Sequence, residues 1–193
     1  MTSISKGPTR ERLLRAAGEL FYREGVATVG VERLCQAAGA SKRSLYQLFA
    51  SKDELAAESL RAFGAQEVAG YVSPAVTDLT PRARILQVFQ RLEERAAAPG
   101  FHGCPFVNTA VEMHDATHPA SAVAREFKDR LTAYFEKQAK LGHARHPKAL
   151  AAQLTMVFDG AAVRAVMRAA GLDGLAVRAA TTLLDAAGLD VPA

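Results

Sequence analysis

The chain has 193 residues, 49% of them hydrophobic, and sets 24 basic against 20 acidic side chains for a net charge of +4, enough length and apolar content for one large domain or two small ones. Two cysteines, Cys35 and Cys104, exclude a disulfide framework and suit a reducing cytoplasm. The N-terminal MTSISKGPTRERLL has no apolar signal core, and the longest apolar run, near Leu154, is cut by Gln153 and Asp159 short of the roughly 20 residues that cross a bilayer, so a cytoplasmic protein with no membrane partner is expected.

Apolar spacing is helical along nearly the whole chain, and no alternating strand pattern stands out. Leu13, Leu14, Ala17, Leu20 and Phe21 share one face of a first helix, which follows Pro8-Thr9 and stops at Gly25. Val31, Leu34, Cys35 and Ala38 form a short second helix ending at Gly39, with Thr28 as the expected substitute for a polar cap. Ser41 caps a third helix. Ser51-Lys52-Asp53-Glu54 has the form of a capping box, in which Ser51 and Glu54 each satisfy the other's free amide, and starts a fourth. Further helices begin at Thr80-Pro81, Cys104-Pro105, His118-Pro119 and His146-Pro147, because proline suits the first turn. Asp173 is the expected cap of the last, which runs through Val177, Leu183 and Leu184. The fold class is therefore all-α, with about nine helices.

Charge is distributed unevenly. Residues 1–55 hold nine basic and six acidic side chains, and the rest of the chain holds fifteen and fourteen. An excess in the first quarter points to a polyanion partner there. Two short helices joined through Ala38-Gly39-Ala40 form a helix-turn-helix unit, whose second helix enters the DNA major groove while the first braces it. On a helical wheel started at Ser41, Leu45, Leu48 and Phe49 fall together as a single stripe that can pack on the first two helices. Tyr46, Arg43 and Gln47 fall on the opposite side. Arg can bind guanine and Gln adenine through paired hydrogen bonds. Tyr46, Lys42 and Lys52 suit phosphates, which position a protein without reading sequence. Charged exposed faces are also common on helices that meet nothing, so composition alone leaves an ordinary solvated face open.

Residues 9–55, TRERLLRAAGELFYREGVATVGVERLCQAAGASKRSLYQLFASKDEL, resemble the N-terminal domain of TetR/AcrR-type bacterial transcription regulators. The carriers are the Leu-rich first helix ending at Phe21 and Gly25, the AAGASK turn, the SLYxxF helix and the SKDEL that follows. The resemblance implies a homodimer of all-helical subunits, two reading heads on a palindromic double-stranded DNA operator, and a C-terminal domain for dimerisation and a small-molecule effector. It divides the chain into a helix-turn-helix domain at 1–55, with its motif at about 29–48, and an effector-binding and dimerisation domain at 56–193. Carried over by position, Arg43, Ser44 and Gln47 face bases, and Thr28, Ser41, Lys42, Tyr46 and Lys52 lie at the backbone or the helix starts that approach it. Ser44 stands where Thr is commoner and Leu48 where His is frequent, which removes a methyl contact and a phosphate contact.

Residues 147–187 resemble the family's dimer-forming helix pair, with Leu154, Phe158, Ala161, Ala165, Leu183 and Leu184 as the expected contacts; an intramolecular core is the other reading of the same pattern. FHGCPFVNTAVEMHDATHP places Cys104 at a helix start, where the dipole favours thiolate. Its GC-x-x-x-N element resembles one branch of the family in which some members sense electrophiles or oxidants, so two alternatives stand beside the ligand-responsive repressor. One is a redox sensor acting through Cys104, and the other an enzyme using residues near it. A buried structural cysteine is the plain alternative to both. Phe89, Cys104, Phe106, Asn108, Glu112, Met113, Phe127 and Tyr134 are candidate effector-pocket residues, or simply core. Because a helix boundary separates His114 from His118, no metal site is expected, nor any cofactor. No Gly-rich phosphate loop, GxSxG or HExxH motif occurs, so enzymatic activity is not expected.

Overall fold

A computed structural model describes residues 8–72 and 79–189, the side chains of residues 67 and 68 excepted. Among the described residues there are nine helices and no strand: α1 Thr9–Glu24, α2 Val31–Ala38, α3 Lys42–Leu48, α4 Lys52–Tyr71, α5 Pro81–Ala96, α6 Pro105–Met113, α7 Pro119–Leu141, α8 Pro147–Arg168 and α9 Leu175–Ala186. All four helices expected to open on proline do so, since the missing N–H is unneeded in a first turn. Gly25 and Gly39 end α1 and α2 at φ 88° and 59°, positive values that side chains resist.

Three helix starts differ from expectation. The N-cap residue of α2 is Gly30 and no side chain caps it, so Thr28 does not serve as one. Ser51 Oγ accepts from Glu54 N at 3.0 Å, but the Glu54 carboxylate turns to Ala50 N rather than to Ser51. The N-cap residue of α9 is Gly174, with no cap from Asp173. Its free amides are instead held by Glu93 of α5, which accepts from Gly174 N, Ala176 N and Val177 N at 2.9, 2.9 and 3.0 Å. A carboxylate at a helix N-terminus satisfies orphan donors and complements the dipole together.

Two compact units are present, Met1–Gln66 with Pro105–Glu126 and Glu67–Cys104 with Phe127–Ala193. The first has a core of Leu13, Ala16 and Ala17 from α1, Leu34, Cys35 and Ala38 from α2, and Leu45, Phe49 and Leu55. In the second, the Phe89 ring stacks on Phe135 with centroids 5.7 Å apart and meets Phe158 edge-on at 6.3 Å. Thr132 and Thr155 join α7 to α8 by a 2.8 Å hydrogen bond, beside a Lys128–Asp159 ion pair.

By length and composition alone α8 passes as a membrane span, so Gln153 and Asp159 interrupt it less than expected. Asp159 pairs with Lys128 of α7, and Leu150, Ala151, Leu154, Phe158, Ala162 and Ala165 are buried, the pattern of a helix packed in a protein core.

Candidate nucleic-acid interface

α3 is seven residues long, too short to persist without support. Its start is secured locally, where Ser41 Oγ accepts from Ser44 N at 3.0 Å. Its position comes from packing, with Leu45 fully buried and Phe49 1% exposed. Phe49 has left the helix for an extended conformation, and the Arg10 guanidinium lies 5.4 Å from its ring centre. Leu48, expected on the inward stripe, is 39% exposed, because the helix ends there and the residue sits at the edge of the stripe.

α1 also holds the turn before α3. Arg12 donates from Nε to Ala38 O at 2.9 Å and from Nη2 to Gly39 O at 3.2 Å, satisfying carbonyls left free where α2 ends. Ala40 N donates to Cys35 O at 2.9 Å, closing the turn. Burial pushes the Cys35 thiol upward, with Lys42 opposing it, as suits a core thiol rather than a reactive one.

The outward side of α3 presents Lys42, Arg43, Tyr46 and Gln47, all exposed, with Tyr46 at 54%. Ser44 is half-buried and its hydroxyl lies 2.9 Å from that of Ser41, so the N-cap already engages it. Lys42 Nζ pairs with Glu32 at 2.7 Å, and that hydrogen bond holds the Glu32 carboxyl below its ordinary range and raises the lysine. Lys52 stands at the first residue of α4, and Thr28 is exposed ahead of α2. Lys42, Arg43, Tyr46 and Gln47 thus share a single exposed surface.

Residues 105–126 belong to the same compact unit. The Glu112 carboxylate accepts from Val26 N at 2.9 Å and from Ala27 N at 2.7 Å, on the segment leading into α2. Nothing local in the sequence announces this contact, which joins residues 86 and 85 positions apart. The Phe106 ring occupies the space beside Gly64 of α4, where an added Cβ would lie 2.1 Å from it. His118 accepts from Ala120 N through Nδ1 at 3.1 Å, and its Nε2 lies 3.4 Å from Asp53. Among the described residues no three His, Cys, Asp or Glu side chains gather as a metal would require.

The candidate pocket residues are divided between the two units. Phe106, Asn108, Glu112 and Met113 belong to one unit, and Phe89, Cys104, Phe127 and Tyr134 to the other. Asn108 is exposed, while Phe89, Phe106 and Phe127 are buried. Burial pushes the half-buried Tyr134 hydroxyl upward against Arg84 and Arg91. Cys104 is 9% exposed. Of the expected dimer contacts, Leu154, Phe158, Ala165 and Leu184 are buried within the chain and have almost no surface left for a partner. The same helix exposes a different set: Met156 at 73%, Val163 at 38%, Val166 at 46% and Met167 at 78%.

Comparison with known proteins gives a consistent picture. Residues 13–59 match the family described as bacterial regulatory proteins, tetR family. The transcriptional regulator AcuR of Cereibacter sphaeroides is 31% identical over 166 residues, 80% of this chain and 75% of that protein. The HTH-type transcriptional regulator YxaF of Bacillus subtilis is 38% identical over 61 residues, a match spanning 31% of this chain and only 32% of YxaF. The crystal structure of a candidate TetR transcriptional regulator from Streptomyces avermitilis superposes with a TM-score of 0.91 at 52% identity, covering 95% of this chain and all of that one.

Proposed function

Because the chain belongs to the TetR family of bacterial transcriptional regulators, and so to a family of DNA-binding proteins rather than enzymes, we propose that it is a homodimeric repressor that releases a palindromic operator when a small molecule binds its C-terminal helices. The observation that carries this reading is α3: an exposed side of Arg43, Tyr46 and Gln47 on a helix anchored by buried Leu45. Arg43 and Gln47 read base edges, while Lys42, Tyr46 and Lys52 hold phosphates. Thr28 and Ser41 stand at helix starts beside the backbone, and Ser44 keeps its capping bond while offering an edge to the groove.

The exposed face of α8 supports dimerisation. Met156, Gly160, Val163 and Met167 recur at i, i+4, i+7 and i+11, so the exposed apolar residues form one stripe with a gap at Gly160 for close approach. In a symmetric pair this stripe meets its own copy. Effector binding then acts by preferring one of two dimer states with different head separations. The burial of Cys104 favours a packed thiol over a sensor, and ligand response over redox response.

The test is selection of bound sequences from random duplex DNA by the purified full-length protein at low salt. An enriched palindrome with half-sites about one helical turn apart is expected. Failure to enrich any sequence would overturn the proposal.

A further inference from the structure

We infer that Glu112 of α6 is a positioning residue for DNA binding: its carboxylate clamps the backbone between α1 and α2, and through that segment sets where α2 and α3 stand. The inference rests on the reading of α3 as the DNA-binding helix. The two carboxylate oxygens divide the work, Oε2 accepting from Val26 N at 2.9 Å and Oε1 from Ala27 N at 2.7 Å. Two charge-assisted bonds to adjacent amides fix a segment in both position and orientation, as one could not.

The surroundings fit this role closely. Gly25 has φ 88°, and a Cβ there would lie 2.7 Å from Oε1 and 3.1 Å from the carboxylate carbon, so the carboxylate occupies a niche that only glycine leaves open. α6 is itself registered by Phe106, whose ring fills the space at Gly64 of α4. Phe106, Thr109 and Glu112 recur at i, i+3 and i+6, on one side of the helix, and Phe106 and Thr109 are buried. Farther along, Arg12 ties the other end of α2 to α1. The two helices of the motif are therefore held at both ends, by α1 at the turn and by α6 at the entry. A displacement of α6 reaches the reading head through two hydrogen bonds.

The experiment compares wild type with Glu112→Gln and Glu112→Asp on the operator obtained by selection. Glu112→Gln replaces one acceptor by a donor facing an amide, and Glu112→Asp keeps the charge but withdraws it by one methylene. Both are expected to bind about tenfold more weakly, the effect of losing one charge-assisted hydrogen bond. Selected sequence and salt dependence are expected to stay as in wild type, because no phosphate contact is lost. Amide hydrogen exchange is expected to quicken at Val26 and Ala27 and to stay slow at Leu13 and Leu34. Tighter binding by Glu112→Gln with no change in Glu112→Asp would mean that only charge near DNA matters, and would overturn the inference. So would unchanged exchange at Val26 and Ala27. If neither variant folded, exchange in wild type would decide: unprotected amides at these two loop positions would overturn the inference. A wild type that selects no operator refutes the DNA-binding reading instead, and the exchange measurement still reports on the clamp.

Discussion

α3 and α8 each bury one side and expose the other, yet they expose different chemistry. α3 turns Lys42, Arg43, Tyr46 and Gln47 outward over a core of Leu45 and Phe49. α8 turns Met156, Val163, Val166 and Met167 outward over Leu154, Phe158, Ala162 and Ala165. Water tolerates the first surface, whose value emerges only beside a polyanion. It does not favour the second, which gains by meeting another apolar surface. Burial alone says little about partners, because both helices are anchored in the same way.

Mutations at the two helices can break or sharpen this contrast. The largest effect is expected from the anchor: Leu45→Ala should cost about 2–5 kcal/mol, since the fully buried side chain leaves a cavity behind. Thermal unfolding measures it, and a loss of less than about 1 kcal/mol would mean that α3 is held mainly by its cap and Arg10. Next, Met156→Asp combined with Met167→Asp should weaken self-association by about 2 kcal/mol or more, because both lie on the outward stripe. Sedimentation at several concentrations reads this directly, and an unchanged mass would place the dimer contact elsewhere.

Arg43→Ala should relax sequence preference at one base pair per half-site, at about 1–3 kcal/mol. Selection repeated with the variant should show that single position blurred, and an unaltered motif would remove Arg43 from base reading. The smallest effect belongs to Glu32→Gln, which frees Lys42 from its 2.7 Å partner and should raise affinity for all duplexes by about twofold or less. Acid should imitate it. Lys42 holds the Glu32 carboxyl below its ordinary range, so the pair is intact above that range and is lost as pH falls through the depressed value. A Glu32→Gln variant with the same pH response as wild type would show that some other group titrates.

Much of the fold is legible in the sequence because its signals are local. Pro81, Pro105, Pro119 and Pro147 each stand at the first residue of a helix, and Gly25 and Gly39 each at an end. Ser41 reaches an amide three residues ahead. Such contacts lie within one helical turn, so residue type and spacing are enough to read them. The outward set on α3 is legible for a related reason: helical period alone separates Arg43 and Gln47 from Leu45. Where that period meets the end of the helix it misleads, as at Leu48.

The site residues that read least well are those whose partners are distant in sequence. Nothing in the pattern around Glu112 points to its bonds with Val26 N and Ala27 N, and Asp173 reads as a cap, yet Glu93 caps α9. On α8 the apolar pattern is visible, but which side faces the chain's own core is not, and the residues the pattern offers to a partner are mostly the buried ones. An Ala-rich helix with apolar residues on both sides has no polar face to orient it.

By itself, then, the sequence determined the helices, the proline and glycine positions that start or stop six of them, and the chemistry displayed by α3, because each depends on interactions within a turn or on a repeating period. Only the tertiary structure decided which carboxylate meets which free amide, which side of α8 is spare, and how α2 and α3 are held. Those outcomes depend on groups from about 26 to 86 residues apart arriving at one place, and a one-dimensional pattern carries no distance of that kind.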